Sequence, residues 1–454
     1  MTTQNAHRDF SGPAAGQEIS SRTSMLVVVL CWFGIFSEGY DVGSLGAILP
    51  TLAANHVWGL TPMQLGALGS YTVFGMLIGG FLAGTLAEMW GRKPMFIACV
   101  ALFSLCMLSC AQAQSMAWFA VSRFIGGIGL GGVIPLAAAL TTEYSPKRSK
   151  LFNYGLMYSG YSVGMFGAAM LARVLLPAFG WRAVTLVGAL PLLALPLVMR
   201  ALPESLEFLV VRGRIEQAKA LAGRLSIGAL PSASLAKGER VGYKLVLREI
   251  FSRDQAFATA CFWVALFMSM LLVYGIAQWL PQTMVRSGYD LGSSLLFLAV
   301  FSMTSAIGGI VLGVLADRFG PQRTAVWAFA AGTFGIAALA FKNSIWLNYF
   351  FVALAGFGTI SASLIITNYL ANYLKPFVRS AGTGWALSFA RIGALSGPLV
   401  GGYAAANDLS PAFSFVIFAA VAAVAGIASA LIPKKRAVTH VETPEASLKG
   451  AVEL

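Results

Sequence analysis

The chain has 454 residues, of which 57% are hydrophobic and 11% are charged. Soluble domains carry about a quarter charged residues, so this composition excludes a water-soluble globular protein and predicts one that lies within a lipid bilayer. The net charge of +13 does not indicate nucleic-acid binding. Basic residues that bind nucleic acids cluster on one face with aromatic residues among them, whereas here they fall between apolar segments.

Twelve apolar segments of about 20 residues, the length that spans a bilayer, follow one another along the chain. They predict an all-α membrane protein of twelve transmembrane helices in two pseudo-symmetric six-helix bundles, over residues 25–202 and 255–432. The first set is 25–51, 63–87, 94–111, 116–142, 151–176 and 181–202. The second set is 256–284, 291–316, 324–341, 345–374, 380–406 and 411–432.

Three polar segments lie outside the predicted bundles: a tail over 1–24, a linker over 203–254 and a tail over 433–454. The linker is rich in Lys and Arg, which is typical of a cytoplasmic segment. Within it, 229–238 is predicted to be flexible, and 214–225 has the apolar spacing of a short amphipathic helix.

The distribution of basic residues predicts the orientation of the chain. If the amino terminus is cytoplasmic, all but six of the 31 Lys and Arg fall in cytoplasmic segments, as the positive-inside rule requires. The four on the opposite face are Arg173, Arg182, Arg286 and Lys342. We therefore expect both termini inside, in a bacterial inner membrane. The first apolar segment follows 24 polar residues, is too long for a signal-peptide core and lacks a cleavage site, so it is expected to remain as the first span.

The sequence contains no pattern for covalent chemistry. It has no Walker pattern, metal-ligand constellation or nucleophile motif, and only three histidines. His56 is interpreted as a solvated loop residue. The five cysteines lie in apolar segments without a C-x-x-C pair and are interpreted as packing residues: Cys31, Cys99, Cys106, Cys110 and Cys261. We therefore predict neither an enzyme nor a cofactor or metal site.

One motif occurs twice, six segments apart. GTLAEMWGRKP begins at Gly84 after the second segment, and GVLADRFGPQR begins at Gly313 after the eighth. Small residues let helices approach closely, and the basic cluster favours the anionic leaflet. Two copies at equivalent positions indicate two related halves. The residues assigned to a cytoplasmic gate, with helix caps or salt bridges as the alternative, are Glu88, Arg92, Lys93, Glu143, Arg148, Asp317 and Arg318.

The repeated motif, the linker and PESLEFL over 203–209 resemble the major facilitator superfamily, which implies a central cavity and alternating access. Further motifs resemble its aromatic acid:proton symporter family: EGYD over 38–41, RFIGGIG over 123–129, TEYSPKR over 142–148 and RIGALSG over 391–397. That family usually has Asp where this chain has Glu38, and Asp-Arg where it has Glu88 and Met89.

Four ionisable residues lie within predicted spans: Glu38, Asp41, Arg123 and Arg391. A charge at mid-bilayer costs about 2.5 to 3.5 kcal/mol, so such residues pair or face water and mark a transport pathway. Glu38 and Asp41 are three residues apart on one helix face. With Arg123 they are predicted to couple proton binding to transport. A structural ion pair between Asp41 and Arg123 is the alternative, and the two interpretations are compatible.

Arg391 is the predicted anchor for a substrate anion, because a guanidinium presents a planar fork that matches a carboxylate. Gly393 and Gly397 are expected to leave room beside it. A partner among helix carbonyls, or Asn368, is the alternative. Further predicted substrate-binding residues are Arg123, Tyr161, Tyr274, Gln278, Asn368 and Trp385, and Tyr158, Trp279 and Tyr369 are possible lining residues. Such residues also pack or anchor the membrane interface.

The resemblance implies a proton-coupled symporter that imports a small aromatic carboxylate such as benzoate or a hydroxybenzoate. Its partners would be the substrate, protons and the bilayer, and the chain would act as a monomer. Three alternatives remain within the superfamily: a sugar porter, a porter for another organic anion, and a drug/proton antiporter. Residues 203–205 and 212–214 also occur in sugar porters, but two intramembrane arginines favour an anion. A membrane enzyme or a receptor is the alternative from another class.

Overall fold

The computed structural model describes residues 20–146, 148–225, 227, 248–252, 255–375 and 378–433. Regular structure in these ranges is helical. The first half contains α1 (Ser21–Ala54), a 3-10 turn (Val57–Gly59), α2 (Pro62–Trp90), α3 (Arg92–Ala111), α4 (Met116–Glu143), α5 (Lys150–Val187) and α6 (Pro191–Ala201). The linker contains α7 (Leu206–Val211) and α8 (Ile215–Arg224). The second half contains α9 (Ala256–Arg286), α10 (Leu291–Phe319), α11 (Pro321–Ala338), α12 (Ile345–Tyr373), α13 (Arg379–Ala406) and α14 (Pro411–Ala430).

Nine helical segments of the described ranges are long and apolar enough to cross a membrane. One of them, Phe152–Ala201, covers the predicted fifth and sixth spans together. A bend at Gly180, whose φ of +73° suits a residue without a side chain, lies at the boundary that was predicted between the two spans. The amphipathic helix predicted in the linker is present as α8, whereas the predicted flexible segment 229–238 lies outside the described residues.

The two halves repeat the same packing. Helix α1 packs on α5 as α9 packs on α13, and α2 packs on α4 as α10 packs on α12. Small residues allow these close approaches: a Cβ at Gly39 would lie 1.9 Å from the Tyr161 carbonyl oxygen. Gly393 and Gly397 face the Phe267 and Leu271 carbonyl oxygens of α9 in the same way. These two glycines therefore serve the contact between α9 and α13.

The two ends of the bundle differ. On the side where α7 and α8 lie, here called the linker side, Tyr144 donates a hydrogen bond to the Glu204 carbonyl oxygen. On the opposite side, the far side, helices begin at capping residues: the side chains of Thr61, Ser115, Asp290, Ser344 and Ser410 accept hydrogen bonds from the first turns of α2, α4, α10, α12 and α14. Hydrogen bonds from Ser293 hold the pKa of Asp290 below its usual value.

Contacts between the halves bring the far-side ends together. Helices α1, α2 and α5 of the first half meet α9, α13 and α10 of the second. Ser70 donates to the Leu395 carbonyl oxygen at 2.8 Å, and Gln278 donates to the Leu65 carbonyl oxygen at 3.2 Å. A Cβ at Gly66 would lie 2.6 Å from the Pro398 carbonyl oxygen. The halves are thus in direct backbone contact on the far side, above a central cavity.

Candidate functional site

A cavity of ≈ 150 Å³ lies between the two halves. An apolar cavity of about this volume in another protein accommodates a benzene molecule, so the space suits a single ring. The first half contributes Glu38, Val73, Met76, Ile134, Tyr154, Tyr158 and Tyr161. The second contributes Met270, Val273, Tyr274, Ile360, Ser363, Leu364, Thr367, Leu387, Arg391 and Ala394.

Tyrosines of α5 form one wall of this cavity. Tyr154, Tyr158 and Tyr161 are spaced by four and three residues, which places them on one helix face. Successive ring centroids are 6.3 Å apart, with interplanar angles of 21° and 26°. Tyr274 stands on the other half, and its hydroxyl donates to the Met76 sulfur at 3.8 Å. Aromatic walls of this kind bind a planar ring through stacking and edge contacts.

Arg391 brings positive charge into the cavity from α13. Its side chain is half-buried, and Nη1 donates a hydrogen bond to the Met76 carbonyl oxygen of α2. A guanidinium carries five N–H donors, so this contact orients the group and leaves donors for a ligand. Because Met76 and Arg391 belong to different halves, the same contact joins α2 to α13.

Glu38 brings a carboxyl group into the same cavity from α1. The residue is 2% exposed, and its Oε2 atom has no hydrogen-bond partner among the described residues. Glu38 and Arg391 both line the cavity, yet they form no salt bridge within 4 Å. The cavity therefore contains an acceptor group and a donor group that are not paired with each other.

Asp41 lies one turn further along α1 but in a different environment. Its Oδ1 atom accepts a hydrogen bond from Arg123 Nη1 at 2.5 Å, and the two residues are 2% and 4% exposed. Arg123 also donates from Nε to Thr72 Oγ1 at 2.8 Å and contacts the Met107 sulfur at 3.5 Å. This pair borders a separate space of ≈ 10 Å³, roughly one water molecule in size.

The structure brings together only some of the predicted substrate-binding residues. Tyr161, Tyr274 and Arg391 line the cavity, as does Tyr158. Arg123 lies outside it, on Asp41. Gln278 is buried on the far side against Leu65.

Four other aromatic or amide residues also lie away from the cavity lining. Asn368 is exposed and bonds Asn372 at 3.0 Å, and Trp385 packs against the core of the second half. Trp279 donates to the Pro398 carbonyl oxygen at 2.8 Å, and Tyr369 packs on Phe262. His56 is exposed with a φ of 47°.

Three predicted gate residues contact the linker. Arg92 forms salt bridges of 2.9 Å to Glu143 and to Glu207. Glu204 accepts hydrogen bonds from the backbone N–H groups of Arg92 and Lys93 at 2.9 and 3.1 Å. This carboxylate thus caps α3, where a helix amino terminus favours negative charge. The role of Glu204 was not predicted, although its place in the PESLEFL segment after the predicted sixth span could have indicated a contact with the helix ends.

The other predicted gate residues have no side-chain partner of this kind among the described residues. The Glu88 side chain is exposed, while its carbonyl oxygen accepts two hydrogen bonds from Arg212 at 3.1 and 2.8 Å. Arg148, Asp317 and Arg318 are exposed.

Sequence reasoning also missed Tyr154 and Ser363 as lining residues. Tyr154 precedes Tyr158 by four residues, and this helical spacing could have identified it as a lining residue. No local signal distinguishes Ser363 from other serines in the spans, because its position depends on how α12 faces the other half.

Comparisons with known proteins agree with this architecture. The model of the Major Facilitator Superfamily matches residues 31–341 and 288–453. The benzoate transport protein of Acinetobacter baylyi is 33% identical over 90% of this chain and 89% of its own length. The gallate transporter of Pseudomonas putida is 33% identical over 83% and 84%. The inward-open xylose transporter of E. coli has a TM-score of 0.74 at 15% identity, covering 92% of this chain and 98% of that one.

The 15% identity of the xylose transporter supports the fold alone, whereas the family model and the curated relatives cover most of the chain. These relatives are membrane transporters, which confirms the prediction that the chain is not an enzyme. The chain belongs to the major facilitator superfamily, and its curated relatives include transporters of benzoate, gallate, gentisate and 4-hydroxybenzoate.

Proposed function

We propose that the chain is a proton-coupled symporter that imports a small aromatic carboxylate, of the benzoate or hydroxybenzoate type, by alternating access. The observation that carries this proposal is the ring-sized cavity between the halves, which combines an Arg391 guanidinium with a wall of tyrosines. A sugar site would require polar amides, but Gln278 and Asn368 lie away from this cavity, and an intramembrane guanidinium favours an anion. The curated relatives support a ring acid as substrate.

The proposal includes a membrane arrangement of twelve spans with both termini and the linker in the cytoplasm of a bacterial cell, and a monomeric carrier. The bend at Gly180 separates spans five and six, and α11 and α13 complete the second half. In this orientation the far side is periplasmic, and the backbone contacts there close the periplasmic end. The closed far side supports an inward-facing state.

Proton coupling is assigned to the carboxylates of α1. Glu38 in the cavity would respond to the substrate, whereas Asp41 would bind or release Arg123 according to its protonation state. Protonation of Asp41 removes the charge that compensates a buried guanidinium, which changes the free energy of the α1–α4 contact. The cytoplasmic salt bridges of Arg92, and Lys93 at the capped start of α3, are proposed to open and close with the linker. Glu88, Arg148, Asp317 and Arg318 are proposed to join that gate in another state of the cycle.

Uptake into proteoliposomes tests the proposed function. With acid outside and one pH unit of gradient, one cotransported proton supports about tenfold accumulation of 4-hydroxybenzoate, because a tenfold ratio corresponds to about 1.4 kcal/mol. Protein-free liposomes measure passive entry of the neutral acid. Xylose and succinate serve as competing substrate classes. Accumulation of xylose instead of ring acids, or ring-acid uptake equal to that of protein-free liposomes, would refute the proposal.

The far-side contact predicts how the carrier can be held open to the periplasm. In Gly66→Trp, the indole cannot fit against the Pro398 carbonyl oxygen, so the periplasmic end should not close. A cysteine introduced at Thr367, which lines the cavity, should then react faster with an impermeant maleimide added outside cells. Gly155→Trp is the matched control, because a Cβ at Gly155 meets no atom within 4 Å. Equal labelling rates in the two variants would contradict the assignment of the far side as the periplasmic gate.

A further inference from the structure

Two chemically distinct groups line the cavity, and one ligand can satisfy both. Arg391 offers N–H donors only, and ionised Glu38 offers acceptor oxygens only. These groups come from α13 and α1, on different halves, and they form no salt bridge within 4 Å among the described residues. A carboxylate bound to Arg391 satisfies the guanidinium and leaves Glu38 without a partner among the described residues.

Leaving Glu38 without a hydrogen-bond partner has a cost in free energy. It is 2% exposed, and Oε2 lacks a hydrogen-bond partner within the described part of the chain. A buried acceptor without a partner loses the free energy of its hydration, so a ligand that supplies a donor is favoured over one that does not. Sites of this kind discriminate strongly against analogues that lack the donor.

We propose that Glu38 is the residue that selects ring acids bearing a hydroxyl group remote from the carboxylate, at the meta or para position. This inference rests on the proposed function and names the substrate class within it. The ring hydroxyl donates to Glu38 while the carboxylate accepts from Arg391, and the tyrosine wall of α5 contacts the ring. The contact survives proton loading, because a protonated carboxyl group retains an acceptor oxygen.

The position of the hydroxyl follows from the chemistry of the ligand. An ortho hydroxyl lies beside its own carboxylate and bonds it, so it is not free to donate to Glu38, which forms no salt bridge with Arg391 within 4 Å. A methoxy group at the para position has an oxygen but no proton to donate. It would place a second acceptor against the ionised Glu38 carboxylate. Five ring acids therefore separate the effects of a donor group, of its position and of substituent size. They are benzoate, 2-hydroxybenzoate, 3-hydroxybenzoate, 4-hydroxybenzoate and 4-methoxybenzoate.

The test is equilibrium binding of these five acids to the full-length protein in detergent. In the wild type, 3- or 4-hydroxybenzoate should bind at least about tenfold more tightly than benzoate, the ratio for one hydrogen bond to a charged group. 2-Hydroxybenzoate and 4-methoxybenzoate should show no such gain. In Glu38→Ala the ratio of hydroxybenzoate to benzoate affinity should fall to about one. Glu38→Gln keeps an acceptor oxygen, so its ratio should lie between the two.

The affinity of each variant for benzoate serves as its own reference. A general loss of affinity therefore leaves the ratio of hydroxybenzoate to benzoate affinity unchanged. Glu216→Ala is the matched control, since Glu216 is an exposed acid on α8 that pairs with Lys219 at 3.0 Å. Its ratio should equal that of the wild type. If Glu38→Ala does not fold, the Glu38→Gln ratio and the wild-type series decide the question.

The two proposals fail in different ways. Wild-type affinity for both hydroxybenzoates no greater than for benzoate, or equal ratios in wild type and Glu38→Gln and Glu38→Ala, would overturn the role of Glu38 while leaving ring-acid transport intact. Absence of binding by all five acids would overturn the proposed function itself.

Discussion

Replacing Arg391 with alanine is expected to weaken binding of benzoate about ten- to hundredfold. A charge-assisted hydrogen bond to a partly desolvated carboxylate contributes about 1.5 to 3 kcal/mol, which corresponds to that range of affinity. Arg391→Lys should lose nearly as much. Lysine keeps the charge but cannot donate to the Met76 carbonyl oxygen and to a carboxylate through one rigid planar group. Equilibrium binding of benzoate in detergent measures both changes.

Two controls separate the anion contact from packing. Benzamide has the same ring without the charge, so its affinity should hardly differ between the wild type and the Arg391 variants. Arg286 is a matched arginine of the second half: it donates an Nη2 hydrogen bond to the Leu409 carbonyl oxygen at 3.2 Å but does not line the cavity. Arg286→Ala should therefore bind benzoate as the wild type does. Unchanged benzoate affinity in both Arg391 variants would remove the anchor from α13.

Replacing Asp41 with asparagine is expected to abolish accumulation of substrate driven by a pH gradient. Asparagine cannot gain or lose a proton at this position, so the Arg123 contact no longer changes with pH. The variant should also unfold at a lower temperature. Arg123 is 4% exposed, and removing the charge of one partner of a buried pair costs about 3 to 5 kcal/mol. Proteoliposome uptake and thermal unfolding measure the two effects.

A double variant distinguishes coupling from stability. Asp41→Asn combined with Arg123→Gln removes both charges, so the melting temperature should recover much of its loss because no unpaired charge remains. Gradient-driven accumulation should stay absent, whereas exchange of substrate across the membrane without a gradient should persist. A stable double variant that still concentrates substrate when a pH gradient is imposed would show that Asp41 serves structure alone.

The sequence determined the class of the protein because its signals are local or periodic. Apolar segments of bilayer length, the motif repeated at Gly84 and Gly313 and the ionisable residues inside spans can all be recognised along the chain. The family model and the curated relatives confirm membership of the major facilitator superfamily. The arginine within the predicted eleventh span was also visible, since a lone cation in an apolar segment has few structural explanations.

The tertiary structure decided which of these residues share a site. Glu38 and Asp41 lie three residues apart, yet one borders the central cavity and the other pairs with Arg123, because α1 is packed on different neighbours around its circumference. Gly393 was expected to leave room beside Arg391, but it faces α9. From the sequence alone, Gln278 was predicted to bind substrate. In the structure, its position along α9 places it in the far-side contact with Leu65. Helical periodicity gives the face of a residue relative to its own helix, and only the packing of the two halves determines what that face meets.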